Sequence, residues 1–210
     1  MKKSEFNSTW SALHGGAEIK GIVKTWLAIS FSSAKVLSKL CITPNVLTLL
    51  GVLFAIAMAA NPLSGWAIPL LVLSLYADGI DGSVAIFQKR QSTFGAILDA
   101  SADRISEALW FYVAYRIGAP AWLVLGTYAI ASTQEYARAR LGGLGIGDVG
   151  VVTPAERPVR ASFIFIALVS YALGFQLVTL TISILAVLQI ISFFLVARFA
   201  HNSLRNNLGA

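Results

Sequence analysis

The sequence predicts an all-α integral membrane protein, with six transmembrane helices preceded by an N-terminal amphipathic interfacial helix. Three observations carry that prediction. Charged residues make up 12% of the 210 positions and hydrophobic ones 57%, with a mean hydropathy of +0.74, whereas soluble domains carry about twice that charge. Two long stretches, Leu40 to Ala77 and Ala161 to Ala197, hold no charged residue at all. The remaining charges sum to +6 and cluster between the apolar runs, as short cytoplasmic loops do. A water-soluble fold is thereby disfavoured, and disordered, collagen-like and disulfide-stapled classes are excluded. The single cysteine, Cys41, has no partner for an internal bridge and reads as a small buried hydrophobe.

Taken in order, residues 1–42 read as a cytoplasmic, interfacial arm, since the polar residues after Met1-Lys2-Lys3 lack the apolar core of a signal peptide. Within it, Ile22, Trp26, Ile29, Val36 and Leu40 recur at helical spacing, and Lys20, Lys24, Lys35 and Lys39 are placed to reach lipid headgroups. Thr43-Pro44-Asn45 looks like a helix start. The first uncharged stretch is too long for one crossing of a ~30 Å hydrocarbon layer, and Asn61-Pro62 with Gly65 supplies its reversal. Helices are expected from about Thr93 to Arg116 and from about Ala119 to Leu141, parted by Gly118-Ala119-Pro120. The second uncharged stretch turns at Gly174 and gives the last hairpin. Residues 43–200 are thus the predicted transmembrane catalytic domain and 201–210 a cytoplasmic tail. With both termini cytoplasmic, every basic residue except Arg116 falls on that side, and so does every acid: Glu5, Glu18, Asp78, Asp81, Asp99, Asp103, Glu107, Glu135, Asp148 and Glu156. Positive-inside topology does not demand the acids; an active site facing the cytoplasm does.

Asp78 and Asp81 end one apolar helix, and Asp99 and Asp103 open the next, with a turn near Lys89–Ser92 folding the pairs together. Helical spacing sets Asp78, Asp81, Gly82 and Ala85 on one face and Gly95, Asp99 and Asp103 in an i, i+4, i+8 stripe on the other helix. Four ionised aspartates at a membrane boundary would cost on the order of 10 kcal/mol on insertion scales. Hard divalent cations, Mg2+ or Mn2+, offset that with an oxygen-only ligand set, and Gly82, Ala85 and Gly95 let a ligand approach the backbone. The structural alternative is a network of these acids with Arg104, Lys89 and Arg90.

These residues resemble a known signature. Asp78-x2-Asp81-Gly82-x2-Ala85-Ile86-x8-Gly95-x3-Asp99-x3-Asp103 is similar to that of the CDP-alcohol phosphatidyltransferases, except that Ile86 stands where the motif has arginine. Thr43-Pro44-Asn45-x2-Thr48 resembles the opening of their first span. The resemblance implies a six-span enzyme, usually a homodimer, that moves a phosphatidyl group from CDP-diacylglycerol (CDP-DAG) to an alcohol and releases CMP, with membrane lipids and no nucleic acid as partners. It implies that Asp78, Asp81 and Asp99 bind metal, two ions in all, that Asp103 binds metal or deprotonates the acceptor hydroxyl, and that Gly82 and Ala85 line the nucleotide site. Lys89, read as one helical turn beyond Ala85 on the same face, is the expected replacement for the missing arginine. On this reading Ile86→Arg lowers the apparent KM for CDP-DAG.

Arg138, Arg140, Arg157 and Arg160 form a second basic cluster around a Gly-rich loop from Gly142 to Gly150, suited to a phosphate-bearing acceptor because guanidinium groups grip phosphate as a fork; plain anchoring to the cytoplasmic face is the alternative. Tyr136-Ala-Arg138-Ala-Arg140, Glu156-Arg157-Pro158-x-Arg160 and the Phe94–Ser106 stretch are similar, within the family, to phosphatidylinositol phosphate synthases, which implies inositol phosphate as acceptor; Val159 stands where an acid is expected. Glycerol 3-phosphate as acceptor and a non-catalytic, cation-binding relative are the alternatives. The tryptophans Trp10, Trp26, Trp66, Trp110 and Trp122 read as interfacial or packing aromatics. His14 and His201 lack metal-ligand spacing, and Glu107 pairs with Arg104 or supports Asp103.

Overall fold

The computed structural model describes residues 1–13, 15–146 and 152–208, the side chains as far as residue 205. His14, Asp148 and the later part of the Gly-rich loop lie outside the described residues. Eight helices follow one another: α1 (Lys3–Leu13), α2 (Gly21–Lys39), α3 (Pro44–Ala60), α4 (Ala67–Gln88), α5 (Thr93–Arg116), α6 (Ala121–Gly143), α7 (Arg157–Ala172) and α8 (Val178–Leu208). No strand occurs among the described residues. Each helix from α3 to α8 falls where a span is expected. Among the described residues, however, only Ala67–Gln88 and Val178–Arg205 are by themselves long and apolar enough to cross a membrane, and α2 with α3, bent by 106°, qualify only as a pair. The shortfall has local causes. The 16 residues of α7 reach about 24 Å at ~1.5 Å per residue, short of the hydrocarbon layer, and α5 and α6 carry the acids and arginines of the sites below. The apolar helices mark a membrane protein, and side chains such as Leu53, Val72, Leu125, Val187 and Phe194 are exposed as lipid-facing ones are.

The chain forms two compact units. The first comprises Met1–Ala57 and Pro69–Ser106. In it Ala34, Leu47, Ile80 and Val84 form a core shared by α2, α3 and α4, with Phe87 packed against it. Ser74 of α4 donates its hydroxyl to the Gly51 carbonyl at 2.8 Å, an approach that glycine permits: a Cβ on Gly51 would meet the Ser74 carbonyl oxygen at 3.3 Å. The break between α2 and α3 puts Cys41 at φ 57°; Cys41 is exposed, contrary to the buried role expected of it. Gln88 pins that break, donating from Nε2 to the Ile42 carbonyl at 2.7 Å. The mostly polar α1 was not legible as a helix. It is anchored by Phe6, fully buried with Leu27 and Ile86 and in edge contact with Phe31, ring centroids 5.4 Å apart.

The second unit comprises Met58–Ile68 and Glu107–Ala210. There α8 packs along α6 and α7. Trp110, Phe111, Ile164, Ile182 and Leu185 are buried in it, and Gln189 donates to Gln134 at 2.8 Å inside the apolar packing. Gly174, at φ 78°, closes α7 with the Phe175 amide bonded to Ser170 and its own amide to Tyr171, a Schellman turn that needs the left-handed residue. The last helix runs to Leu208, so most of the expected tail is helical.

Candidate active site

Within the first unit, two helix ends create the site. α4 stops at Gln88 with a Schellman turn: Lys89 takes φ 55°, its amide reaches the Ile86 carbonyl at 3.1 Å, and the Arg90 amide reaches Ala85 at 2.9 Å. Two residues later Ser92 caps α5, its hydroxyl accepting from the Gly95 amide at 3.0 Å. This short reversal brings Asp78, Asp99 and Asp103 together, each half-buried and each offering a carboxylate oxygen, with these oxygens all within 4.8 Å of one another. Arg104 lies 3.9 Å from Asp103. Asp81 is outside that group. It is buried and accepts hydrogen bonds from the Thr48 hydroxyl and the Gly82 amide. The expected set of four therefore divides into three converging carboxylates and one fixed by α3. Oxygen donors alone, crowded to this separation, fit a hard divalent cation.

A cavity of about 440 Å³ adjoins them. Asp81, Gly82, Ala85, Gly95 and Asp99 line one part, and a Cβ on Gly82 would meet nothing within 4 Å, so the backbone there is open to a ligand. Trp10 and Trp26 line another part; as the sequence reading expects, both pack, Trp10 against the Phe6 cluster and the Trp26 ring against Gly79, whose absent Cβ would meet it at 2.9 Å. Lys89 is not among the lining residues. The helix has already ended at that position, and its ammonium pairs with Glu5 of α1 at 3.1 Å, holding the Glu5 carboxyl below the ordinary carboxylate range. Ile86 is 4% exposed and shared between the cavity wall and the Phe6–Leu27 cluster. An arginine there would place its charge among aromatic and aliphatic side chains, which removes the basis for expecting Ile86→Arg to improve KM.

Two of the four clustered arginines, Arg138 and Arg160, are committed to carboxylates. Arg160 is 0% exposed; its guanidinium donates to Glu107, to the Ala155 carbonyl at 2.6 Å and to Glu135 at 3.0 Å. Glu107 thus pairs with Arg160. Arg138 makes a fork on Glu156, both bonds 2.7 Å. Burial alone would push the Glu156 carboxyl up, yet that fork and the Thr153 amide and hydroxyl hold it down at about 2. The Arg157 guanidinium lies 5.0 Å from the centre of the Trp110 ring. Arg140 is exposed. The expectation that all four grip an acceptor phosphate is corrected for Arg160, whose donors are spent on the protein itself.

Converging carboxylates beside an open-backboned cavity, on an all-helical membrane scaffold, make a site whose donors fit a divalent metal and whose cavity could admit a phosphorylated ligand. Residues 41–200 match the CDP-alcohol phosphatidyltransferase family, and the chain belongs to it: it is a transferase of phospholipid biosynthesis. The chain is 31% identical over 169 residues to an archaetidylinositol phosphate synthase of Pyrococcus horikoshii, covering 76% of this chain and 84% of that one. It is 36% identical over 140 residues to a phosphatidylinositol phosphate synthase of Corynebacterium glutamicum, covering 60% and 63%. A Mycobacterium tuberculosis phosphatidylinositol phosphate synthase solved with CDP-DAG bound shares the fold, with a TM-score of 0.70 at 23% identity over 82% of this chain and 94% of that one. A second structure of that enzyme, in complex with manganese and citrate, has a TM-score of 0.69.

Proposed function

We propose that the protein transfers the phospholipid moiety of a CDP-activated lipid, CDP-DAG or its archaeal counterpart, to inositol phosphate and releases CMP. The convergence of Asp78, Asp99 and Asp103 beside the cavity carries this reading. The relatives' names support the acceptor, because they differ in the lipid but agree on the inositol phosphate head group. Asp78, Asp99 and Asp103 would hold Mg2+ or Mn2+, two ions by family resemblance, with Asp81 fixed by Thr48 at the edge of the set. Bound metal would polarise the diphosphate and stabilise the leaving CMP. Gly82 and Ala85 offer the nucleotide a close backbone approach. Asp103 accepts the proton of the acceptor hydroxyl as its oxygen bonds to the lipid-bearing phosphorus and the bond from that phosphorus to CMP breaks. Arg138, Arg140 and Arg157 would meet the acceptor phosphate, Arg140 as an exposed residue and Arg138 by exchanging Glu156 for it. Helices α3 to α8 serve as the six spans, the arm of residues 1–42 lies at the interface, and the site faces the cytoplasm in a homodimer.

The test is CMP release from labelled CDP-DAG by the purified protein with Mg2+ or Mn2+, offered inositol phosphate, inositol or glycerol 3-phosphate. Turnover with inositol phosphate well above the other two is expected. Preference for glycerol 3-phosphate would replace the acceptor, and no CMP release with any of them would leave a non-catalytic, cation-binding relative.

A further inference from the structure

Position 86 poses a chemical problem. A cavity that receives a nucleoside diphosphate beside Asp81 and Asp99 needs positive charge from the protein as well as from metal. Where the motif has arginine this chain has Ile86, buried with Phe6 of α1 and Leu27 of α2. Lys89 does not fill the gap, because its ammonium is on Glu5. Among the described residues that line the cavity, Arg90 alone is basic, and it makes no ion pair among them.

The end of α4 explains how Arg90 comes to be there. In a Schellman turn the residue two beyond the helix cap folds back over the residue three before it. With Gln88 as cap, those positions are Arg90 and Ala85, joined by the 2.9 Å bond from the Arg90 amide to the Ala85 carbonyl. Ala85 is itself a cavity residue and the immediate neighbour of position 86. The turn requires a left-handed residue at 89, and lysine adopts it there at φ 55° although glycine would do so more readily. The backbone thus returns a guanidinium to the region from which Ile86 withdraws one.

Resting on the reading of this cavity as the nucleotide site, we propose that Arg90 grips the diphosphate of the CDP-activated donor in place of the motif arginine, and that residue 86 has been given over to seating the N-terminal arm. A guanidinium suits the task because its fixed charge and planar fork match phosphate oxygens.

The experiment measures equilibrium binding of CDP and of cytidine to the full-length protein in detergent with Mn2+, for wild type, Arg90→Ala, Arg90→Lys and Lys89→Ala, each checked for unchanged thermal unfolding. Arg90→Ala is expected to weaken CDP binding roughly ten- to a hundredfold, the loss of one charge-assisted contact, and to leave cytidine binding unchanged. Arg90→Lys should fall between, and Lys89→Ala, which removes the same charge one residue earlier, should cost less than about threefold. CDP binding that survives Arg90→Ala, or falls equally with Lys89→Ala, overturns the assignment alone. Wild-type protein that binds no CDP overturns it together with the nucleotide reading on which it rests.

Discussion

Two clusters of acids, one in each unit, are treated in opposite ways. In the first, three carboxylates are drawn to within 4.8 Å of one another, and the Arg104 guanidinium stands 3.9 Å from Asp103. In the second, carboxylates meet guanidinium groups at hydrogen-bonding distance: Glu156 on Arg138 at 2.7 Å, and Glu135 on Arg160 at 3.0 Å with Glu107 on the same guanidinium. Bringing like charges together costs energy that a bound cation or a proton returns, whereas in the matched pairs each charge offsets its partner. The helix α5 contributes to both, Asp99 and Asp103 in the first unit and Glu107 in the second. Acid content alone therefore says little about chemistry; the partner of each acid decides it.

The largest effect should come from disturbing the first region. Asp103→Asn is expected to reduce CMP release by roughly a hundred- to ten-thousandfold, the range for removing a general base, while leaving thermal unfolding unchanged or raising it, since one of three crowded charges is gone. Lost stability together with retained turnover would make that cluster a structural one. The second region should answer in the reverse sense. Arg160→Met strands the buried Glu107, at a cost of about 3–5 kcal/mol in unfolding free energy, and the double variant Arg160→Met with Glu107→Leu should recover part of it. If Arg160→Met unfolds like wild type but no longer discriminates phosphorylated from unphosphorylated inositol, the division between the regions fails.

How far this contrast could be read in advance depends on the distance over which each feature is decided. The reversal between α4 and α5 was legible because Asp78, Asp81, Gly95, Asp99 and Asp103 are spaced by helical turns on two adjacent helices, and Thr43-Pro44 announced α3. Helix α1 was not, since its place depends on a single buried side chain, Phe6, in contact with residues far along the chain. Arg90, not Lys89, lines the cavity for a local reason: extending a helical wheel beyond Gln88 assumes a helix that the left-handed φ at Lys89 has ended. Arg160 reads in sequence as one of four phosphate-gripping arginines because the basic cluster is visible there while its carboxylate partners, Glu107 and Glu135, lie 53 and 25 residues away.

The smallest effect belongs to Glu156, and it has a pH signature. Its carboxyl titrates at about 2 in the folded protein against an ordinary 4.5, so the native state favours the ionised form. The stabilisation is complete above pH 4.5 and is lost as the pH falls through the window down to about 2. Glu156→Gln should therefore lower stability at neutral pH by about 1–2 kcal/mol, less than the shift alone implies because the group is partly exposed and screened. In that acidic window the variant's unfolding free energy should fall less steeply than that of wild type, and the two curves should converge at its lower end. Parallel curves would mean that the Arg138 fork leaves the charge of Glu156 without consequence for folding. In that case Arg138 is energetically available to a phosphate, and the second region is less closed than its distances imply.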